Sequence, residues 1–426
     1  MNKASFWNKS LLYLFPIIII FFFIQAIGGY TFFYFVYAPW VFAFYYFLIG
    51  IAAYNKIDKH TSLKILCLLW ILYIIFSGLF ADLPSHYFTE EIKRFIAPCF
   101  FIFVGMCQTD DRIYKVFIYS IFISVIIGFL LLIFQPAWYL NFLVVCFNNL
   151  WYSNASENIG SIMYTAFRFQ SFFADSYAIS YFVTFSFCIV VCDIYRKNRI
   201  VGNSKSLILL FLTFSIAIIL SGFRVAMAYM LIVIIWMILY GIFTKNAKRR
   251  FFIYTLIAVI TILSIILIFF SDNSYFLFIK ESIFDRISDL SYENAMEGSR
   301  NTQQEKVLES WKDIWLGDGT GSKGAQARMD GLPAITDGGY IKMLVENGIV
   351  GFGLFIAIML LTIKRGLKYL KYDMMELLIV GYTLVSMLGA NSIAMSWSFV
   401  LMFWFSVGRI WNDRILAQRI RKKENI

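Results

Sequence analysis

Three arginines stand where a guanidinium could act on a charged ligand. Arg168 lies in "YTAFRFQSFFADSYAISYF", Arg224 interrupts the apolar run "SGFRVAMAYM", and Arg300 opens the helical stripe of "GSRNTQQEKVLESWKDIW". A guanidinium is planar, keeps its charge at any physiological pH and holds phosphate oxygens bidentately. Such groups suit a pyrophosphate at a membrane surface. An arginine near a helix end can also simply snorkel to lipid headgroups, so the meaning of each depends on the elements around it.

Those elements follow from composition. The chain has 426 residues, of which 60% are hydrophobic, 20% aromatic and only 15% charged. Its mean hydropathy of +0.73 lies far above that of soluble domains. The expected fold class is an all-α polytopic integral membrane protein of about twelve transmembrane helices, because runs such as "ILCLLWILYIIFSGLFA" are long enough to cross ~30 Å of hydrocarbon. Spans are expected near 11–27, 30–53, 63–81, 92–107, 113–134, 176–195, 206–221, 225–243, 251–270, 342–363, 375–392 and 396–411. The first lacks a small-residue cleavage site and reads as a retained span, with Pro16 tolerable inside it.

Basic residues orient this topology. With the N-terminus inside, 25 of the 37 Lys and Arg residues fall on the cytoplasmic side, in segments such as "RKNRIVGNSK", "TKNAKRR" and the tail "RILAQRIRKKENI". Seven of the other 12 lie in one long loop, where the positive-inside rule does not count, leaving 25 against 5. Both termini are expected in the cytoplasm. The net charge of +11 is then a topology signal rather than a nucleic-acid footprint, since its clusters are short and sit at helix ends. The chain divides into N-terminal spans (1–134), an extracytoplasmic loop (135–175), central spans (176–270), a large extracytoplasmic loop (271–340), C-terminal spans (341–411) and a basic cytoplasmic tail (412–426).

The large loop carries helical periodicity. Apolar residues recur at three- and four-residue steps in "YFLFIKESIFDRISDL" and in "QQEKVLESWKDIW", which predicts two amphipathic helices lying on the membrane or roofing a cavity. Other chemistry is poorly supplied. The six cysteines show no CxxC or metal-ligand spacing, and His60 and His86 are the only histidines, so neither disulfide nor metal chemistry is expected. "GDGTGSKG" from Gly317 lacks the Walker spacing and reads as tight turns. The absence of an internal repeat gives no sign of a repeat-built transporter.

In order, "RFQSFFADSYAISYF", "LSGFRVAMAYMLIVII", "SRNTQQEKVLESWKDIWLGDGTG" and "DGGYIKMLVENGIVGFGLFI" resemble the O-antigen polymerase and ligase superfamily of bacterial membrane glycan-assembly proteins, over about residues 165 to 363. The resemblance implies a glycosyltransferase of the cytoplasmic (inner) membrane. It would use polyprenyl-diphosphate-linked oligosaccharide on the outer face, with no nucleotide sugar, cofactor or metal. Membrane lipid, a flippase and a chain-length regulator of the same pathway would be its partners, and nucleic acid would not. By motif, Arg168, Arg224 and Arg300 match the family's arginines and are assigned to the diphosphate, as fixed cations that stabilise the departing anion. Asp337 is the candidate for accepting the acceptor hydroxyl's proton, with Asp175 second, and Tyr340 lies beside Asp337 where the loop re-enters the membrane. An Asp-Gly turn in "DGG" explains Asp337 equally well. Ligases of the superfamily typically carry a histidine at this re-entry point, whereas here it reads "TDGGYIKML". That departure favours a polymerase of repeat units for O-antigen, capsule or exopolysaccharide. A ligase-type transferase, a lipid-linked glycan transporter and a non-catalytic scaffold are the alternatives.

Overall fold

Long apolar runs become helices because, away from water, each backbone N–H and C=O must find its partner within the segment. The computed structural model describes residues 3–28, 32–57, 60–150, 169–173, 176–196, 199–243, 305–335, 338–370, 374–390, 393 and 398–424. Among them the elements are α1 (Lys3–Ile27), α2 (Phe32–Tyr54), α3 (Thr61–Phe80), α4 (Ser85–Glu91), α5 (Ala97–Cys99), α6 (Phe101–Cys107), α7 (Arg112–Phe134) and α8 (Ala137–Leu150). There follow α9 (Ser176–Tyr195), α10 (Ser204–Ser221), α11 (Arg224–Phe243), α12 (Ala325–Met329), α13 (Gly339–Lys368), α14 (Met375–Ser386), α15 (Val400–Ile410) and α16 (Asp413–Glu424). No strand occurs among the described residues.

Six of these segments are long and apolar enough to span a bilayer: Ser10–Ile27, Ser62–Phe80, Arg112–Phe134, Tyr177–Tyr195, Ser204–Ser221 and Gly339–Lys368. Pro39–Tyr54, Arg224–Leu239, Met375–Ser386 and Val400–Ile410 are shorter apolar helices. Exposed Ile17, Leu69, Ile133 and Leu360 give the long helices an apolar outer surface, as a polytopic membrane protein requires. The span expected near 92–107 is a chain of short helices with a π-helical turn at Ile92–Ile96. The one expected near 251–270 lies outside the described residues, as does the first amphipathic stripe, 275–290.

The chain splits into two units, residues 1–32 with 110–295 and residues 33–109 with 296–426. In the first unit α9 is buried from Tyr177 to Ile194. Phe182 packs against Phe117 of α7 at 6.0 Å, and Phe187 meets Phe211 of α10 at 5.0 Å. Hydroxyls inside this apolar helix are satisfied locally, with Thr184 and Ser186 donating to the carbonyls of Ser180 and Phe182. The segment expected as a bare loop after residue 134 opens with α8, whose Trp138 packs edge-on against Phe23 of α1 at 6.4 Å.

In the second unit the aromatic centre is Trp70 of α3, within 5.3 to 5.8 Å of Trp404, Phe355 and Phe95. Two glycines let α6 and α15 cross with their backbones in contact: a Cβ on Gly105 would lie 2.1 Å from the Phe405 carbonyl, and one on Gly408 2.0 Å from that of Ile102. The final helix, α16, folds back on α14, where Arg419 grips Glu376 bidentately at 2.7 and 2.9 Å.

Candidate functional site

In the first unit a tight turn joins α10 to α11 and ends at Arg224. α10 stops because Gly222 adopts a left-handed conformation (φ 63°), its N–H donating to the Ile219 carbonyl. Phe223 then turns inward between Tyr177 and Tyr181, at 5.0 and 5.8 Å between rings. Its carbonyl accepts from Met227 N–H, which starts α11. With Phe223 anchored, the next side chain points away from the core: Arg224 is exposed, at the first residue of its helix. There the positive end of the helix dipole adds to the charge of the guanidinium, an arrangement suited to an anion.

The backbone near position 168 comes to the same turn. Phe169, which follows Arg168, donates its N–H to the Leu220 carbonyl at 2.9 Å. Ser171, itself left-handed at φ 54°, ties the segment to α7 through a 2.8 Å hydrogen bond to the Ser124 carbonyl. Between them the Gln170 amide nitrogen is enclosed with no hydrogen-bond partner among the described residues. Arg168, Asp175, Arg300 and Asp337 all lie outside the described residues.

The second unit holds a different structure. α13 is broken at Gly348 (φ 60°, ψ −175°) into Gly339–Asn347 and Ile349–Lys368. A break in a span frees carbonyls on one side and N–H groups on the other, and the stretch 314–319 satisfies both. Asp318 and Gly319 donate to the carbonyls of Val345 and Glu346, while those of Ile314 and Trp315 accept from Ile349 and Val350 N–H. α3 clasps the junction, as Tyr73 donates to the carbonyls of Leu316 and Asn347 at 2.9 and 3.0 Å. Thr320 bridges the Ile74 carbonyl and the Asn347 side chain at 2.9 and 2.8 Å. The glycines of "GDGTGSKG" therefore serve close backbone approach, and a Cβ on Gly317 (φ 85°) would sit 2.4 Å from the Glu346 carbonyl.

Beneath this junction lies a buried charge cluster that sequence reading did not identify. Lys342 bonds Glu91 at 2.7 Å and faces Glu346 at 3.5 Å. The Glu346 carboxylate also accepts from Lys323 N–H at 3.0 Å, while the Lys323 ammonium pairs with Asp318 at 3.3 Å. The i,i+4 charges of "KMLVE" were its one visible signal, and Glu91, 251 residues from Lys342, had none. Tyr340 stands one turn away, half-buried, its hydroxyl donating to the Leu384 carbonyl at 2.8 Å. That bond fastens α13 to α14.

These parts divide by chemistry. Arg224 is exposed and can bind an anion, whereas Lys323 and Lys342 of the second unit are buried and face carboxylates. Residues 208–356 match the model of a family described as O-antigen ligase. The matched stretch includes Arg224, the glycine loop and the break at Gly348, and spans the positions of Arg300 and Asp337. No curated protein matches the chain.

Proposed function

We propose that this membrane protein, whose residues 208–356 match a family described as O-antigen ligase, is a polymerase of the O-antigen polymerase and ligase superfamily. It joins polyprenyl-diphosphate-linked oligosaccharide repeat units at the outer face of a bacterial cytoplasmic membrane, with both termini inside. The observation that carries the reading is Arg224, an exposed guanidinium on the first residue of a span-like helix, held by the buried Phe223 and the Gly222 turn.

Arg224, with Arg168 and Arg300, holds the diphosphate of the donor lipid. An acceptor hydroxyl attacks the anomeric carbon, the bond from that carbon to the diphosphate oxygen breaks, and the departing anion is stabilised by the fixed cations. The hydroxyl proton passes to a carboxylate, Asp337 first and Asp175 second. Neither a nucleotide sugar nor a metal takes part. Tyr340 contributes placement, through its hold on α14. The polymerase reading is preferred to ligase because the re-entry segment "TDGGYIKML" carries no histidine; His86 faces Asp330 at 3.1 Å.

The test is the size distribution of surface and carrier-linked glycan in cells with and without the gene. Loss of the long ladder with single repeats still exported supports the polymerase. Full-length polymer accumulating on the lipid carrier would replace it with a ligase, and repeats trapped on the inner leaflet with a transporter.

A further inference from the structure

At one end of the second unit several helix termini converge on a cavity of about 310 Å³. The end of α2, the start of α3, the end of α6 and the start of α16 all contribute to its wall. Its floor is apolar, formed by Ile57, Met106 and Cys107. Two cations, Lys56 and Arg414, stand at its rim, both exposed and without an ion-pair partner among the described residues. The one described carboxylate in the lining, Asp413, is engaged twice, by Arg365 at 2.5 Å and His60 at 3.0 Å. Arg365 is itself held over the Trp411 ring, 4.7 Å from its centroid. The lining thus offers uncommitted positive charge beside an apolar floor, at the small end of the ~300–1,000 Å³ usual for ligand sites.

We infer that this cavity binds a phosphate-bearing anion, and that its source is the headgroup of an anionic phospholipid. The phosphate lies between Lys56 and Arg414, and the first carbons of the lipid cover Ile57 and Met106. A free phosphate would satisfy the two cations but not the apolar floor. The position also fits a lipid: α3, which begins here, is span-length, so its start lies at headgroup depth. The basic segments around it are those that the positive-inside pattern assigns to the cytoplasm, where anionic lipid adds attraction for each lysine and arginine. The basic C-terminal helix α16 starts at the cavity and extends the same charge. This inference is independent of the polymerase reading and of Arg224.

The experiment uses the purified full-length protein in neutral detergent. Dioctanoyl phosphatidylglycerol, dioctanoyl phosphatidylcholine and inorganic phosphate are titrated separately, and binding is read by native mass spectrometry and by the shift in Tm. Because both cations are exposed, a Lys56→Gln/Arg414→Gln double variant keeps its fold, which an unchanged Tm without ligand verifies. A second variant, Ala417→Trp, fills the cavity while leaving both cations in place. The expected result is phosphatidylglycerol binding on the order of tenfold weaker in the double variant and lost in Ala417→Trp, with little binding of phosphatidylcholine or phosphate. Equal phosphatidylglycerol affinity in all three proteins overturns the site. Inorganic phosphate binding as tightly as phosphatidylglycerol overturns the lipid source.

Discussion

Glycine interrupts helical structure at Gly222 and at Gly348, and the two interruptions end in opposite ways. At Gly222 the chain leaves one helix and starts the next within two residues, so the new helix begins with an exposed Arg224. At Gly348 the freed carbonyls and N–H groups are each taken by a neighbouring stretch of backbone, and the charges nearby, two lysines among three carboxylates, are buried together. A helix start that carries an exposed cation is what a ligand site needs. A junction whose freed backbone groups are taken up by a neighbouring stretch is what a scaffold needs. Function is therefore expected to respond to changes at the first and stability to changes at the second.

The largest effect belongs to Arg224. Arg224→Ala should abolish chain extension while the protein still inserts and accumulates, since one fixed donor to a departing anion is worth about 10²–10³ in rate. Arg224→Lys should fail as well, because an ammonium cannot reproduce the planar fork. Glycan ladders from complemented cells, with protein level measured by blot, make the comparison. Full activity in the lysine variant would reduce the argument to charge alone.

The second unit should answer in stability. Lys342→Met leaves Glu91 and Glu346 buried without their shared cation, at a cost of about 3–5 kcal/mol. A lower melting temperature of the purified protein is the measurement. An unchanged melting temperature would mean that the cluster is solvated rather than closed. A smaller loss, about 1–3 kcal/mol, is expected for Gly348→Ala, whose Cβ would lie 2.2 Å from the Trp315 carbonyl at a backbone angle that alanine rarely adopts. If both variants melt like the native protein, the contrast between an open and a closed break does not hold.

What could be read from sequence follows the same division. Apolar runs announce their own helices, so α3, α7, α9 and α10 lie within two residues of their expected limits. Arg224 could be found because a charge inside an apolar run is conspicuous. The junction at Gly348 could not, since its partners are brought together by folding across up to 274 residues. Periodicity also overreached in "QQEKVLESWKDIW": among the described residues the helix covers 305–309 and ends there. Beyond it, side chains compete for the backbone, as Asp313 accepts from Trp315 and Leu316 N–H, and Asp318 from Lys312 N–H. Trp315, on the expected apolar stripe, lies beyond the helix and is 66% exposed.

The smallest predicted effect probes the surface of that same unit, where α12 is tied to α4. Asp330 accepts hydrogen bonds from Tyr87 at 2.7 Å and, in the tautomer that donates, from His86 at 3.1 Å. These bonds hold its carboxyl below the usual carboxylate range, and the first of them also pushes the Tyr87 hydroxyl above its ordinary value. A carboxylate with a lowered pKa in the folded state contributes stability that is complete above its ordinary pKa of about 3.9 and is lost as pH falls through the lowered value. Acid should therefore loosen residues 325–332. Hydrogen exchange across this segment should rise below about pH 4 in the native protein, and Asp330→Asn should remove most of that pH dependence. The same rise in both proteins would locate the acid response elsewhere. Because the pair is exposed and screened by solvent, the change should be confined to local exchange and leave the melting temperature nearly unaltered, unlike a lesion at the Gly348 junction.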